Sequence, residues 1–460
     1  MKIDFEVSPK ALKPLVDQAF ASAAIKSADL AEKWDGARGT PVFTVNGQYT
    51  TRGWTEWTQG FQYGILLLAG EGVSDTKLVD LGRKLTFERM LPHVTHIGVH
   101  DHGFNNLSSY GNLLRLVLEK NGLAREADRT RCRDLLAVSG AIQAARWSEA
   151  ADGDGYIYSF NGPQSLFIDT MRTLRIVVLA HQLGHYLAAE NDRKINLLER
   201  ALRHSLTTDR RIVFHGNSSH GYDVRGRTAH EGVFNKNDGA FRTRSTQQGY
   251  SPFSTWTRGS AWAVLGYAEQ SEFLATQTDS ALPAKELNLA PAKIRERMLQ
   301  AAIDTADHYI NDVTALDGIP YWDDGAPQLH CLGDWQQRAS EPYNKFEPID
   351  SSAAAIAAQG LLRLGRLLGG EKGARYTQAG LTVSRTLLQE PYLSTSAKHQ
   401  GLLLHSVYHW PNRWDHVPKG QTVTCNESSM WGDYHLLELA LLLRRLENNG
   451  AYPAFFKLAE

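Results

Sequence analysis

Two carboxylates carry the chemistry this sequence could do. Asp101 sits in a polar, glycine-punctuated stretch, Thr95-His96-Ile97-Gly98-Val99-His100-Asp101-His102-Gly103-Phe104, just before an apolar helical run. Asp169 arrives the same way, in Leu166-Phe167-Ile168-Asp169-Thr170-Met171. Judged alone, Asp169 could simply complement a helix dipole. Its place between Ile168 and Met171 suggests burial instead, which raises a carboxyl pKa and suits it to general-acid work. Aromatic side chains, which stack on the apolar faces of sugars, precede or open other helical runs: Trp54, Trp57, Trp256, Trp262 and Trp431. Two acids and many tryptophans suggest acid/base chemistry on a sugar.

Other polar residues have two readings. Arg258, two residues after Trp256, could be an ion-pair or cation–π partner, or a planar fork for a carboxylate. Asp350, with Ser351 and Ser352, reads as a helix N-cap, and Asp433 as a scaffold residue. His181-Gln182-Leu183-Gly184-His185 puts two imidazoles on one helix face but has Gln182 where a zinc-protease motif has its glutamate. It also lies near a helix C-terminus, where histidine is electrostatically welcome, so no metal is expected. No serine elbow, phosphate-cradling loop or dinucleotide fingerprint occurs.

The elements that must position these residues are helical. Apolar periodicity and capping signals give twelve helices, at about 9–33, 58–68, 74–89, 105–120, 126–147, 165–182, 190–206, 256–272, 291–313, 350–368, 372–388 and 431–446. The even-numbered ones are apolar nearly all round, as in Ser351-Ser352-Ala353-Ala354-Ala355-Ile356-Ala357-Ala358, which implies burial on every side. The odd-numbered ones have one greasy stripe and a charged face. Alternating buried and surface helices describe an all-α (α/α)6 toroid of six helical hairpins, with long loops and short strands at the site end. Residues 207–255 and 390–430 lack helical period, and long loops of this kind are usually functional. Most connections into the even helices are long, so the loops gather where the inner N-termini converge. No flexible linker interrupts the chain, so 1–460 reads as one catalytic barrel domain, with a two-domain all-α protein as the alternative.

Composition narrows the partners. The chain has 460 residues, 42% hydrophobic, with a formal net charge of -1, which recommends neither a nucleic-acid groove nor an anionic membrane. The three cysteines, Cys132, Cys331 and Cys425, are few and far apart, as in a reducing compartment. The first residues lack an apolar leader core. Both points suggest a cytoplasmic location, or a periplasmic one if a leader has been removed. No apolar run is long enough to span a bilayer.

In this order, several motifs resemble the unsaturated glucuronyl hydrolases, glycoside hydrolase family 88. They are Trp57-Thr58-Gln59-Gly60-Phe61, His100-Asp101-His102-Gly103-Phe104, Ile168-Asp169-Thr170-Met171, Gln248-Gly249-Tyr250-Ser251, Trp256-Thr257-Arg258-Gly259-Ser260-Ala261-Trp262, Asp350-Ser351-Ser352-Ala353-Ala354-Ala355-Ile356 and Trp431-Gly432-Asp433-Tyr434. The resemblance implies an (α/α)6 barrel, with Asp169 as general acid/base and Asp101 as second essential carboxylate. It implies a substrate site formed by Trp57, His100, His220, Gln248, Trp256, Arg258 and Trp262, with Gln248 and Arg258 facing the uronate carboxylate. The chain departs from the family pattern at Gln247, Phe160 and Thr173, where histidine, tryptophan and asparagine are usual.

The implied substrate is a lyase-generated oligosaccharide ending in a 4,5-unsaturated uronic acid. Its C4=C5 bond would be hydrated with Asp101 ionised beside Asp169, and no metal or organic cofactor would be needed. Neighbouring readings are an unsaturated rhamnogalacturonyl hydrolase, a sugar 2-epimerase on the same barrel type, and a non-catalytic sugar-binding barrel.

Overall fold

The computed structural model describes residues 1–52 and 57–460; Trp54 lies outside the described residues. The chain forms an (α/α)6 barrel. The inner ring consists of Gln59–Gly72; a composite helix of His102–Asn106, Leu107–Gly111 and Asn112–Leu118; the pair Thr170–Thr173 and Arg175–Gln182; Thr257–Ala275; Ser351–Leu368; and Met430–Glu447. Each packs against the next, and the last packs against the first, so the ring closes. Between them in sequence run the outer helices Pro9–Lys33, Thr76–Arg89, Arg129–Ala145, Leu197–Arg211, Pro291–His308 and Gly370–Leu387. Pro9–Lys33 touches both the first and the last inner helix and covers the seam.

The inner helices are buried because their sequences leave no polar face. All of residues 351–365 in Ser351–Leu368 are buried. Close approach there depends on glycine: a Cβ on Gly360 would sit 2.8 Å from the Leu265 backbone of the adjacent inner helix, nearer than packed atoms tolerate. Amphipathic outer helices supply the second layer. Leu197–Arg211, for example, buries Leu198, Ala201, Leu202 and Ser205 on one helical stripe.

The element expected over 165–182 divides. Ser165–Phe167 is a strand pairing antiparallel with Glu231–Phe234, which in turn pairs with Phe241–Ser245. The helix begins only at Thr170. Likewise the helix expected from residue 190 starts at Leu197, because Leu187–Ala189 and Arg193–Ile195 form a hairpin turning through Asn191 and Asp192, both at positive φ. The segment expected to be short strands and loop, 207–255, holds Glu231–Phe234 and Phe241–Ser245 and leads to Thr257–Ala275. The 187–195 hairpin follows the C-terminus of Arg175–Gln182, whereas the sheet that begins at Ser165–Phe167 leads into Thr170–Thr173 at the inner-helix N-terminal end.

Candidate active site

At that end a cavity of about 640 Å³ opens over the ring, with Asp101 and Asp169 in its wall. Each carboxylate occupies the N-cap position of an inner helix, yet neither side chain makes a capping hydrogen bond. This separates them from Asp350, whose carboxylate accepts from Ser352 N–H, and from Ser429, which caps Met430–Glu447. The two acids are buried, at 6% and 8% exposure, without being spent on the backbone.

A small residue and a buried amide hold the two helix starts together. A Cβ on Gly103 would collide with the backbone of Thr173, so Gly103 permits the contact. Gln143, on outer helix Arg129–Ala145, accepts from Gly103 N–H (3.2 Å) and donates to Thr173 Oγ1 (2.6 Å). That gives Thr173, one of the departures from the family pattern, a partner. Arg146 secures the loop before Asp101 by donating to the carbonyls of Ile97, Tyr158 and Ser159.

His100 joins the carboxylates. Its Nε2 lies 2.9 Å from Asp169 Oδ1 and 3.9 Å from Asp101 Oδ1. The ring is fully buried and packs against Phe160 and Phe167, with centroids 5.7 and 5.6 Å away. It does not line the cavity and lies behind the two carboxylates, where the sequence reading had placed it among the substrate-site residues.

Charge follows from this arrangement. Burial raises the pKa of Asp101 to about 6; Asp169 adds to the rise, while His100 and Arg146 oppose it. Burial acts on Asp169 as well, but His100, His230 and Arg258 outweigh it and hold its carboxyl below the usual range. Burial also opposes protonation of His100, and Asp101 and Asp169 overcome it, so the imidazole pKa is raised. The sequence expectation was the reverse, an elevated Asp169 beside an ionised Asp101. In the free protein the hydrogen bond from His100 goes to Asp169, which favours the ionised form of that carboxyl.

His220 is not part of the cavity. It is exposed, in a loop, stacked on Tyr222 with centroids 5.1 Å apart. His230 does not line the cavity either and is 1% exposed. The strand pairing that ends in Ile168 N–H donating to the His230 carbonyl (3.0 Å) puts it behind Asp169. Its Nδ1 accepts from Gln247 N–H (2.9 Å), so in the neutral ring the proton must sit on Nε2. That Nε2 is buried without a partner. Burial pushes the His230 pKa down to about 3, so the ring stays neutral at ordinary pH. Gln247, another departure from the family pattern, therefore lines the cavity with its side chain and fixes the His230 tautomer with its backbone.

The aromatic wall is continuous. Trp57 stacks on Trp431 (5.0 Å, 27°) and approaches Phe104 (5.7 Å), which in turn packs on Trp262 (4.8 Å). Trp57, Trp256 and Trp262 all face the cavity. Arg258 is almost wholly buried, with its guanidinium 4.9 Å from the rings of both Trp256 and Trp431. It donates to Asp350 (3.2 Å), to Gln248 Oε1 (2.8 Å) and to the carbonyls of Val407 and Tyr408. Its fork is thus largely engaged within the protein, and it lines the cavity together with its partner Gln248.

The same carbonyls belong to a wall that sequence reasoning left undivided within residues 390–430. Asp415 accepts from the N–H groups of Tyr408 and His409 (2.5 and 2.8 Å) and folds the turn that presents Tyr408, His409, Asn412 and Trp414 to the cavity. The cluster of aromatic and polar residues in that stretch was the available signal. Asp433 is a scaffold residue, accepting from Tyr49 OH, Ser428 OH and the N–H groups of Leu402 and Leu403. Among the described residues no group of three or more His, Cys, Asp or Glu side chains is gathered to hold a metal ion, and no helix is long and apolar enough to cross a membrane.

No protein-family model matches the chain. Individual relatives do. The unsaturated glucuronyl hydrolase of Bacillus sp. (strain GL1) is 27% identical over 419 residues, covering 89% of this chain and 92% of that protein. The chain is a homologue of the unsaturated glucuronyl hydrolases. The unsaturated chondroitin disaccharide hydrolase of Streptococcus agalactiae serotype III (strain NEM316) is 25% identical over 410 residues, covering 87% of this chain and 84% of that protein. Among solved structures, an unsaturated glucuronyl hydrolase specific for heparin superposes with a TM-score of 0.69 at 20% identity, covering 95% of this chain and 98% of the other. The Bacillus sp. GL1 enzyme, described as responsible for the degradation of glycosaminoglycan, gives 0.66 at 23% identity, covering 94% and 97%. These likenesses support the barrel.

Proposed function

We propose that the protein is a glycoside hydrolase that removes a terminal 4,5-unsaturated uronic acid from lyase-generated oligosaccharides. The observation that carries this is the pair of buried, uncapped carboxylates bridged by one imidazole in the wall of a tryptophan-lined cavity. Relatives have been solved with dGlcA-Glc-Rha-Glc and with dGlcA-GalNAc6S bound, so substrates of this class fit the barrel type.

The alkene of such a sugar is an enol ether, with the ring oxygen on C5. Asp169 gives a proton to C4, and an oxocarbenium ion forms at C5. The resulting carboxylate takes a proton from water as that water bonds to C5. The C5 hemiketal opens to a ketone, the ring oxygen remains on C1 as a hydroxyl, and the C1 hemiacetal collapses to an aldehyde with loss of the aglycone as an alcohol. One water is consumed and Asp169 ends as it began. Asp101 supplies negative charge beside the developing cation.

In the free protein Asp169 is the more acidic of the two carboxyls. A bound uronate adds a third negative charge to the group, which favours uptake of a proton by the cluster, and the first step requires that proton to rest on Asp169 while Asp101 stays ionised. Gln248, backed by Arg258, orients the uronate carboxylate. Trp57, Trp256 and Trp262 stack on the ring. The six inner-helix N-termini around the mouth favour an anionic ligand. The domain acts as one unit over 1–460.

Loss of the ultraviolet absorbance of the conjugated enol-ether acid, followed on a panel of unsaturated disaccharides, tests this reading. Absorbance should fall with wild type and persist with Asp169→Asn. A flat trace on every unsaturated sugar, with release of sugar from a saturated glycoside, would overturn it.

A further inference from the structure

His100 has no place in the cavity wall, yet it is the only described side chain that hydrogen-bonds Asp169. We propose that His100 is a positioning residue whose Nε2–H holds Oδ1 of Asp169, leaving Oδ2 as the oxygen that exchanges the proton with the sugar and with water. The inference rests on the acid/base reading of Asp169 given above.

The geometry leaves the imidazole little choice. Nδ1 is buried without a hydrogen-bond partner, beside the rings of Phe160 and Phe167. A neutral ring with its proton on Nδ1 would strand that donor and present a lone pair to Asp169 Oδ1, which is repulsive whenever Asp169 is ionised. A neutral ring with the proton on Nε2 makes the 2.9 Å bond. An imidazolium makes the same bond. In either charge state the proton facing Asp169 is on Nε2.

Asp169 passes through both of its own charge states in one turnover. When Oδ2 carries the proton, Oδ1 accepts from His100. As the proton leaves for C4, charge spreads over both oxygens, and the bond to His100 becomes charge-assisted and stronger. The donor is therefore worth more after proton transfer than before it, which is the condition for lowering a barrier. It also stops the carboxyl from rotating, so Oδ2 is the oxygen presented to the alkene. Besides the two aspartates, Arg146, His204 and His230 act on the same group electrostatically. His204 and His230 are each pushed down to about 3 by burial, so neither competes for the proton.

Two measurements decide it. The first is steady-state kinetics of His100→Leu and His100→Gln on an unsaturated disaccharide that wild type consumes. Leucine fills the site without a donor, and glutamine can return an N–H near the position of Nε2. His100→Leu should lower kcat by about 10²-fold with KM within about twofold, since His100 does not touch the sugar. The alkaline limb of kcat/KM should move to higher pH, because Asp169 loses the donor that stabilises its charge. His100→Gln should recover much of kcat. A KM rise at unchanged kcat, or a kcat loss with an unmoved pH profile and no rescue by glutamine, would overturn the proposal.

The second measurement uses wild type alone and needs neither turnover nor a stable variant. In ¹⁵N-histidine-labelled protein, Nε2 of His100 should be protonated across the folded pH range, with any titration confined to Nδ1. A neutral ring protonated on Nδ1 would contradict the assignment even if the enzyme is active. Absence of alkene loss with the correct tautomer would instead refute the parent reading and leave the hydrogen bond standing.

Discussion

Asp101 is a residue whose charge the fold works against, and replacing it should make the protein more stable at neutral pH. Its side chain is 8% exposed and has no hydrogen-bond partner among the described residues, and burial carries its pKa from the ordinary 3.8 to about 6. Below about pH 4 the folded and unfolded chains both hold the proton, and the group costs little. As pH rises from about 4 to 6, the unfolded chain ionises while the folded one resists, and stability falls. Above about 6 the folded chain carries the full cost, a shift of about two units or about 3 kcal/mol. Asp101→Asn keeps the volume and removes the titration. It should therefore gain about 3 kcal/mol over wild type at pH 8, about half of that at pH 5, and about 0.5 kcal/mol near pH 4. For a chain this long that is only about 3 °C in Tm, so urea unfolding followed by circular dichroism at several pH values is the better assay. The same variant should lose activity. A stability gain independent of pH, or none at pH 8, would refute the claim that Asp101 is a carboxylate held at a cost for its function.

Other consequences follow from the packing around the site. Arg258→Ala would leave Asp350 buried without its cation and release the carbonyls of Val407 and Tyr408; a loss of about 3–5 kcal/mol in chemical denaturation is expected, with Arg258→Lys intermediate. Gly103→Ala would drive a Cβ into the Thr173 backbone, costing about 1–3 kcal/mol and prising the two carboxylates apart, so kcat should fall more than thermal stability does. His220→Ala should leave kcat/KM within about twofold, whereas His230→Ala, which removes a buried donor and the acceptor for Gln247 N–H, should lower it about tenfold or more. The opposite ranking of the two histidines would show that the exposed loop, and not the ring packed behind Asp169, matters to turnover.

Some of this was legible in the sequence, and the reasons differ by residue. The inner helices announce themselves because a run such as Ala353 to Ala358 has no polar face to show to water. Asp101 and Asp169 could be singled out because each stands before such a helix. The strand Ser165–Phe167 was read as helix because a short apolar run gives no period to choose by. His230 went unnoticed for a related reason. It comes to lie behind Asp169 only through that strand's pairing with Glu231–Phe234, across more than sixty residues of chain, and nothing local marks it. The charge order of the carboxylates could not be read either, since it depends on which of them the His100 imidazole meets.

The account's central claim is that Asp169 protonates C4 of an unsaturated uronate and that water then bonds to C5. The most direct test is to run the reaction in D2O enriched in H2¹⁸O and examine the released keto-uronate by NMR and mass spectrometry. The account predicts one deuterium at C4 and label entering at C5, with Asp169→Asn forming no such product. A released sugar that keeps its C4=C5 bond, with label at C1 instead, would contradict it.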